Sequence, residues 1–310
     1  MHFLITGGAG FLGINLCRHL LRRGHRVRVL DLVDFDYPEN DRVEAFRGDV
    51  RDAGTVDRVV RDIDVVVHAA AALPLSSRAE ILSTDAEGTA VVLERAFAAG
   101  VPRLVFTSSL AVFGPPFPSV IPDDFAPTPA TSYGTQKTIC ELLLADYSRK
   151  GFVDGVGIRL PTICVRPGKP NRAASGFFSG IIREPLNGVE AVLPVPDTVR
   201  HWHASPRSAV GFLIHGAGLD TTKLGNRRSI TMPGVSATVA DEIEALRKVA
   251  GEKAVSLIRR EPDELVMRIV SGWAESYEAK RAKELGFRSD NSFEDIIRVH
   301  IEDEMGGKIA

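Results

Sequence analysis

The stretch HFLITGGAGFLGINLCRHLLRRG, residues 2 to 24, changes character twice. HFLIT is a short apolar run of strand length. GFLGINLCRHLLRRG then reads as a helix that stops on Gly24. Between them stand Gly7, Gly10 and Gly13, three apart. Glycine lets a backbone turn tightly and come close to a ligand. A helix that opens at such a turn presents free N–H groups and a positive dipole end to an anion. The spacing is G-x-x-G-x-x-G, a variant of the commoner G-x-G-x-x-G pattern. By itself it is also compatible with a plain strand–helix turn.

The pattern continues outward. RVRVLDL, EAFRGDV, DVVVHAAA, RLVFTSS and GVGIRLP are further apolar runs. TVDRVVRDI, EGTAVVLERAFAAG and YGTQKTICELLLADYSRKG are helical patterns between them. Such βαβα alternation, with runs apolar enough to be buried on both sides, predicts an α/β fold with a doubly wound parallel sheet. After about residue 165 the texture changes to loop-rich stretches with Pro, Gly and Ser, including LPVPDTVRHWHASPRS. TVADEIEALRKVAG is an amphipathic helix with Thr238 and Asp241 spaced as a cap, and SFEDIIRVHIEDEMGG repeats that pattern. The expected division is a nucleotide-binding domain over 1–165 and a smaller C-terminal substrate domain over 166–310. A segment near 203–220 is expected to return to the first.

Composition leaves the chemistry to local sites. The 310 residues carry a formal net charge of −2 with both signs interspersed, so no basic block points to nucleic acid. No apolar stretch reaches the length of a membrane span, and the N-terminus has no signal-peptide pattern. The three cysteines, Cys17, Cys140 and Cys164, have no C-x-x-C spacing and read as reduced, buried thiols of a cytoplasmic protein.

Asp31 closes RVRVLDL, eighteen residues past Gly13. A carboxylate there can accept from both ribose hydroxyls of an adenosine and would repel a 2′-phosphate. Leu32 and Val33, not an arginine, follow it. The expectation is NAD rather than NADP. Asp49, in RGDVRD, could meet the adenine amino group or belong to an acidic surface loop. The small residues of HAAA, 68 to 71, leave room for a cofactor or pack the core.

Tyr133 and Lys137 are four apart and share a helix face. Ser109 ends the strand RLVFTSS, and ligand sites of parallel sheets lie at the carboxyl ends of strands. An ammonium beside a phenol favours phenolate, which could take a proton from a substrate hydroxyl. The serine would hold that hydroxyl.

The ordered set GGAGFLG, VLD, GDVRD, HAAA, TSSLAVFG and YGTQK resembles the extended short-chain dehydrogenase/reductases, the NAD-dependent epimerase/dehydratase superfamily. The resemblance implies a Rossmann-like fold, NAD as cofactor, and Ser109, Tyr133 and Lys137 as the catalytic set. It implies a cofactor site of Gly7, Gly10, Phe11, Leu12, Gly13, Asp31, Asp49, Val50, Ala69, Ala70, Ala71, Thr107, Tyr133, Lys137, Pro161 and Ile163. It also implies a homodimer through the helices of GTAVVLERAF and ICELLLADY. From about residue 106 onward, IRLPTICVRPGKPN, ASGFFSGIIREPL and IRVHIEDEMGG are similar to a narrower branch, the D-erythronate dehydrogenases. That likeness implies oxidation of the C2 hydroxyl of a four-carbon sugar acid. The first hundred residues are more generic, with Asp85 where the superfamily usually has Asn and Phe113 where nucleotide-sugar enzymes usually have Tyr. This leaves a divergent subfamily or a recombined chain open. The alternative activity is a nucleotide-sugar epimerase or dehydratase that recycles tightly bound NAD.

A small hydroxy acid needs a cationic anchor, and a bidentate arginine suits a carboxylate. Arg166, Arg183 and Arg200 are candidates, with Arg200 preferred. Ser175 and Gly176 line the pocket or form a tight loop, and Ser109 and Tyr133 complete the expected substrate set. Residues 72 to 83 are expected to give part of the pocket wall. His201 and His203 of HWH have no partner cluster at ligand spacing, so packing is expected and no metal.

Overall fold

The computed structural model describes residues 1–72, 76–168 and 174–309. Its strands in chain order are β1 (His2–Thr6), β2 (Arg26–Asp31), β3 (Glu44–Arg47), β4 (Val65–His68), β5 (Arg103–Ser109), β6 (Asp154–Leu160), β7 (Thr162–Ile163), β8 (Ala191–Leu193), β9 (Arg200–Ala204), β10 (Ser229–Thr231), β11 (Val235–Thr238) and β12 (Ile258–Arg260). The helices are α1 (Phe11–Arg22), α2 (Ala53–Val59), α3 (Arg78–Ile81), α4 (Gly88–Ala98), α5 (Ser132–Arg149), α6 (Gly176–Leu186), α7 (Pro206–Ala217), α8 (Val239–Val255), α9 (Glu264–Val270), α10 (Lys280–Glu284) and α11 (Phe293–Glu304).

The chain forms two compact units, 1–112 with 129–160 and 210–232, and 113–128 with 161–209 and 233–310. The first is built on a seven-stranded sheet in the order β10-β6-β5-β4-β1-β2-β3, parallel throughout. This is the Rossmann-like, doubly wound architecture. Its winding reverses between β1 and β4, where open α/β sheets hold their ligands. The central strands are apolar on both faces: Leu4, Val66, Leu104 and Phe106 are buried with Val92, Leu93, Cys140 and Leu144 of α4 and α5, and the alternating Phe3, Ile5, Val65, Val67 and Val105 are buried as well.

The second unit has a three-stranded sheet, β11-β9-β7, and a β12–β8 pair. Its core gathers Phe178, Ile181, Ile182, Leu246, Ile296 and Ile297 from α6, α8 and α11. The Thr238 hydroxyl accepts from Asp241 N at 3.0 Å while the Asp241 carboxylate accepts from Thr238 N at 2.8 Å, the expected capping box of α8. Ser292 caps α11 in the same way, accepting from Asp295 N at 3.1 Å.

Four sequence expectations need correction. The chain leaves the parallel sheet at Pro161 rather than after residue 165, because β7 pairs with β9 of the second unit. Residues 113–128 also belong there, with Phe113 against Phe125 and Tyr277 and Ile121 N donating to Ser276 O. The returning segment is 210–232 rather than 203–220, since it carries β10, which pairs with β6. The HWH stretch is β9 and not loop. With both of its faces covered, polar and apolar side chains alike are buried, which erases the alternation a half-exposed strand would show.

Candidate active site

Gly7 has φ +71°, and a Cβ there would meet Ala70 N at 2.7 Å. Gly13 has no room for a side chain either, since its Cβ would lie 2.7 Å from Gly8 Cα. The first contact lays the loop on the exit of β4, and the second seats the start of α1 on the loop. Gly10 is the N-cap of α1 and brings no side-chain acceptor, so the first-turn N–H groups of Phe11, Leu12 and Gly13 keep their donors for an outside anion. Asp31 ends β2. Its carboxylate accepts from Ala9 N at 3.0 Å and Val33 N at 3.3 Å, which fixes it beside the loop.

Gly7, Gly10, Asp31, Asp49, Val50, Ala69, Ala70 and Ala71 line one cavity of about 280 Å³, with Ala9, Gly48 and Thr84. The cradle that a Cβ would fill, the uncapped helix start and the fixed carboxylate together fit a dinucleotide. Asp49 differs from its expected form. Arg51 Nε donates to its carboxylate at 3.0 Å and Arg51 N at 2.9 Å. The Arg51 guanidinium holds the Asp49 carboxyl below its usual range, so most of its accepting capacity is already used. Tyr37 escaped the sequence reading. Its hydroxyl donates to Ala9 O at 2.9 Å and steadies the loop from 28 residues away, a contact with no local signal. A larger depression, about 470 Å³, lies at the amino ends of β5 and β6. There Arg228 pairs with Asp154, which also accepts from Arg103.

The Ser109, Tyr133 and Lys137 set comes from two elements held together by a glycine. A Cβ on Gly134 would collide with the carbonyl of Ala111, its carbon 2.9 Å away and its oxygen nearer. Only glycine lets the first turn of α5, with Tyr133, rest on the turn that follows Ser109. Thr131 caps α5 by accepting from Gly134 N at 3.0 Å. Ser109 Oγ accepts from Ala111 N at 3.2 Å, which leaves its proton free to donate. The Lys137 ammonium lies 5.5 Å from the Tyr133 ring centroid and 4.9 Å from that of Phe106. Lys137 is 1% exposed. Burial pulls its pKa down, but Tyr133 and Asp85 push it up further, and the net direction is upward. Thr107 is also buried here, with its hydroxyl donating to His68 O at 3.1 Å.

Glu141 is a second residue the sequence reading passed over, as part of an apolar stripe. It is buried and accepts from Arg159 at 2.9 and 2.7 Å and from Ser108 Oγ at 2.6 Å. One helical turn beyond Lys137, it bolts α5 to β5 and β6. A carboxylate inside an apolar run was the available signal.

In the second unit, Pro161 precedes β7 and Ile163 lies within it. Arg166 donates to Ile163 O at 3.2 Å and to Ser175 Oγ at 2.9 Å, so two candidate substrate residues meet. Arg183 donates to Arg166 O at 2.7 Å and pairs with Glu184. Arg200 donates to Ser236 O at 3.3 Å and has Asp241 at 3.8 Å. His203 Nε2 lies 3.0 Å from Glu242 Oε1, both fully buried. Desolvation holds the imidazole neutral, down to about 3, and lifts the carboxyl well above its usual range, so this is a neutral contact rather than an ion pair. Phe178 and Phe293 pack on the His203 ring. Among the described residues no group of three His, Cys, Asp or Glu is arranged to hold a metal. Residues 73–75 of the expected pocket wall lie outside the described residues.

A parallel sheet with a glycine cradle at its switch point defines a nucleotide-binding α/β protein. The chain belongs to the NAD dependent epimerase/dehydratase family, whose pattern matches residues 3–202. It is 45% identical to a D-erythronate dehydrogenase of Cupriavidus necator, over 98% of both chains. It is 42% identical to a D-erythronate dehydrogenase of Haemophilus influenzae, over 98% of this chain and 100% of that one. A crystal structure from Agrobacterium tumefaciens, described as a nucleoside-diphosphate-sugar epimerase, is 53% identical, with a TM-score of 0.96 over 100% of this chain and 96% of that one. An L-threonine dehydrogenase of C. necator, 23% identical over 98% of this chain and 99% of that one, shares the fold with a TM-score of 0.87. The protein is therefore an NAD-dependent enzyme. None of its described helices is long and apolar enough to cross a membrane.

Proposed function

We propose that the protein oxidises the C2 hydroxyl of a four-carbon sugar acid, D-erythronate, to 2-dehydro-D-erythronate. The observation that carries this reading is the Ser109–Tyr133–Lys137 set beside a dinucleotide cradle, in a chain 42–45% identical to D-erythronate dehydrogenases over nearly its whole length. Phe11, Leu12 and Gly13 would hold the pyrophosphate by backbone N–H groups, while Gly7 and Gly10, whose own N–H groups donate to Leu30 O at 2.8 Å and Gly7 O at 3.1 Å, shape the turn beneath it. Asp31 accepts from the adenosine ribose. Val50, Ala69, Ala70 and Ala71 wall the cavity, and the family resemblance adds Thr107, Pro161 and Ile163 to the expected cofactor set. When bound, NAD supplies the hydride acceptor for the carbinol carbon. Ser109 Oγ orients the substrate hydroxyl, and Tyr133 takes its proton as the C2–H bond breaks. Lys137 keeps a positive charge at Tyr133 and donates to the nicotinamide ribose. D-Erythronate and oxidised NAD give the 2-keto acid, NADH and one proton.

Ser175 and one arginine bind the substrate end in this reading. Arg200 is the original candidate; Arg166, already joined to Ser175, competes with it. The family resemblance further supports a homodimer through α4 and α5, which expose Phe97, Ile139 and Leu142.

Net NADH separates this activity from epimerisation, in which bound NAD is recycled. Purified protein with NAD is expected to raise absorbance at 340 nm with D-erythronate, and to stay silent with L-threonate, D-threonate and UDP-sugars. Sugar-nucleotide turnover without net NADH would transfer the assignment to the epimerase reading.

A further inference from the structure

Asp85 sits where a wide, π-type turn, Leu82–Glu87, runs between α3 and α4. Turns of this kind are enriched at functional sites. Its carboxyl is 1% exposed, and Oδ1 accepts from Ala72 N at 2.7 Å. Oδ2 is equally buried and has no hydrogen-bond partner. A buried carboxyl with one idle oxygen is costly unless a charge compensates it.

The titratable groups facing Lys137 supply the context. Tyr133, Cys140 and Glu141 lie on its own helix, Asp85 on the wide turn, and His68 on β4. His68 is neutral, held down to about 3 by burial, with its ring nitrogens against Thr6 and Thr89. Cys140 is a thiol pushed further up by burial, and its Sγ donates to Asp85 O at 3.3 Å. Glu141 is neutralised by Arg159. Among the described residues facing Lys137, Asp85 is the carboxyl without a guanidinium of its own.

We propose that Asp85 is a positioning residue for the reaction: its buried carboxyl is the electrostatic counter-group of the Lys137 ammonium and, through Ala72, the anchor of the strand exit that walls the cofactor cavity. This rests on the reading of Tyr133 and Lys137 given above. The interaction acts through space rather than as a direct ion pair. Burial drives the Asp85 carboxyl up while Lys137 and the Ala72 N–H pull it back. In turn Asp85 helps offset the desolvation of Lys137. An amide at 85 could keep the bond to Ala72 N but would carry no charge.

The test is Asp85→Asn with two readouts. One is the pH profile of NADH formation. The other is the 13C resonance of Lys137 Cε, assigned by its loss in Lys137→Met. The expected result is that NAD still binds, that the alkaline loss of activity begins at lower pH, and that the Lys137 resonance titrates at lower pH. A Lys137 titration identical to that of the parent overturns the proposal. The resonance needs no substrate, so a parent protein inactive on D-erythronate would count against the assigned reaction and leave this test standing. Should Asp85→Asn alone not fold, Asp85→Asn with Lys137→Met is expected to fold, because the uncompensated ammonium is gone. A double variant as unstable as the single one overturns the proposal too.

Discussion

The two units handle polar groups differently. In the first, the groups assigned to chemistry are fixed by backbone and keep capacity to spare: Asp31 by Ala9 N and Val33 N, Ser109 by Ala111 N, and the start of α1 by two glycines. In the second, the candidate arginines are spent on neighbours: Arg183 on Arg166 O and Glu184, and Arg200 on Ser236. A side chain oriented by backbone can still bind a ligand. One consumed by neighbours serves packing, unless the ligand displaces a partner. The first unit is thus preorganised for a cofactor, and on the proposed function the arginines of the second would have to exchange contacts to take a substrate.

The largest expected effect tests the bolt that holds the first unit's site in place. Glu141→Gln breaks the buried Glu141–Arg159 pair by removing its carboxylate and should cost about 3–5 kcal/mol of stability by denaturant unfolding. A loss below 1 kcal/mol would mean that packing alone holds α5. Next comes the cradle. Gly13→Val drives a side chain into Gly8 and is expected to weaken NAD binding by about a hundredfold in calorimetric titration. Near-parental affinity would show that the loop is not preorganised.

The second unit should respond to acid through His203. Its folded-state pKa lies near 3, below the usual 6.5, so the stability it contributes is present above pH 6.5 and lost as pH falls toward 3. Between pH 6.5 and 5 this amounts to about 2 kcal/mol. Glu242 has the opposite sign, since its raised pKa gives stability at low pH that fades as pH rises through it. His203→Asn is therefore expected to flatten the acid side of the stability curve; an unchanged slope would contradict a buried neutral imidazole. The smallest effect concerns the substrate anchor. If Arg200 exchanges Ser236 for a carboxylate, Arg200→Ala raises the KM for D-erythronate about tenfold and leaves NAD affinity alone. The same increase in Arg166→Ala, with Arg200→Ala unaffected, would move the anchor to the Arg166–Ser175 pair.

The same contrast explains what the sequence disclosed. Glycine loop, Asp31, Ser109, Tyr133 and Lys137 were legible because each stands at a strand or helix end, where local spacing fixes position. Tyr37 and Glu141 were not, since their partners lie across the fold and neither breaks a local pattern strongly. The need for glycine at 134 is not local either, since it comes from the Ala111 carbonyl on another element. In the second unit the identities of Arg166, Ser175 and Arg200 were visible, but which arginine meets which serine depends on tertiary pairing. The strand character of HWH was hidden because burial on both faces removes the alternating signal.

The central claim is that Tyr133 carries the proton transfer in oxidation of a four-carbon sugar acid. The most direct measurement compares NADH formation from D-erythronate by the parent and by Tyr133→Phe, with NAD affinity measured on both. The expected result is robust turnover by the parent and a loss of about 10²–10⁴-fold in the variant at unchanged NAD affinity. Full turnover by Tyr133→Phe would contradict it.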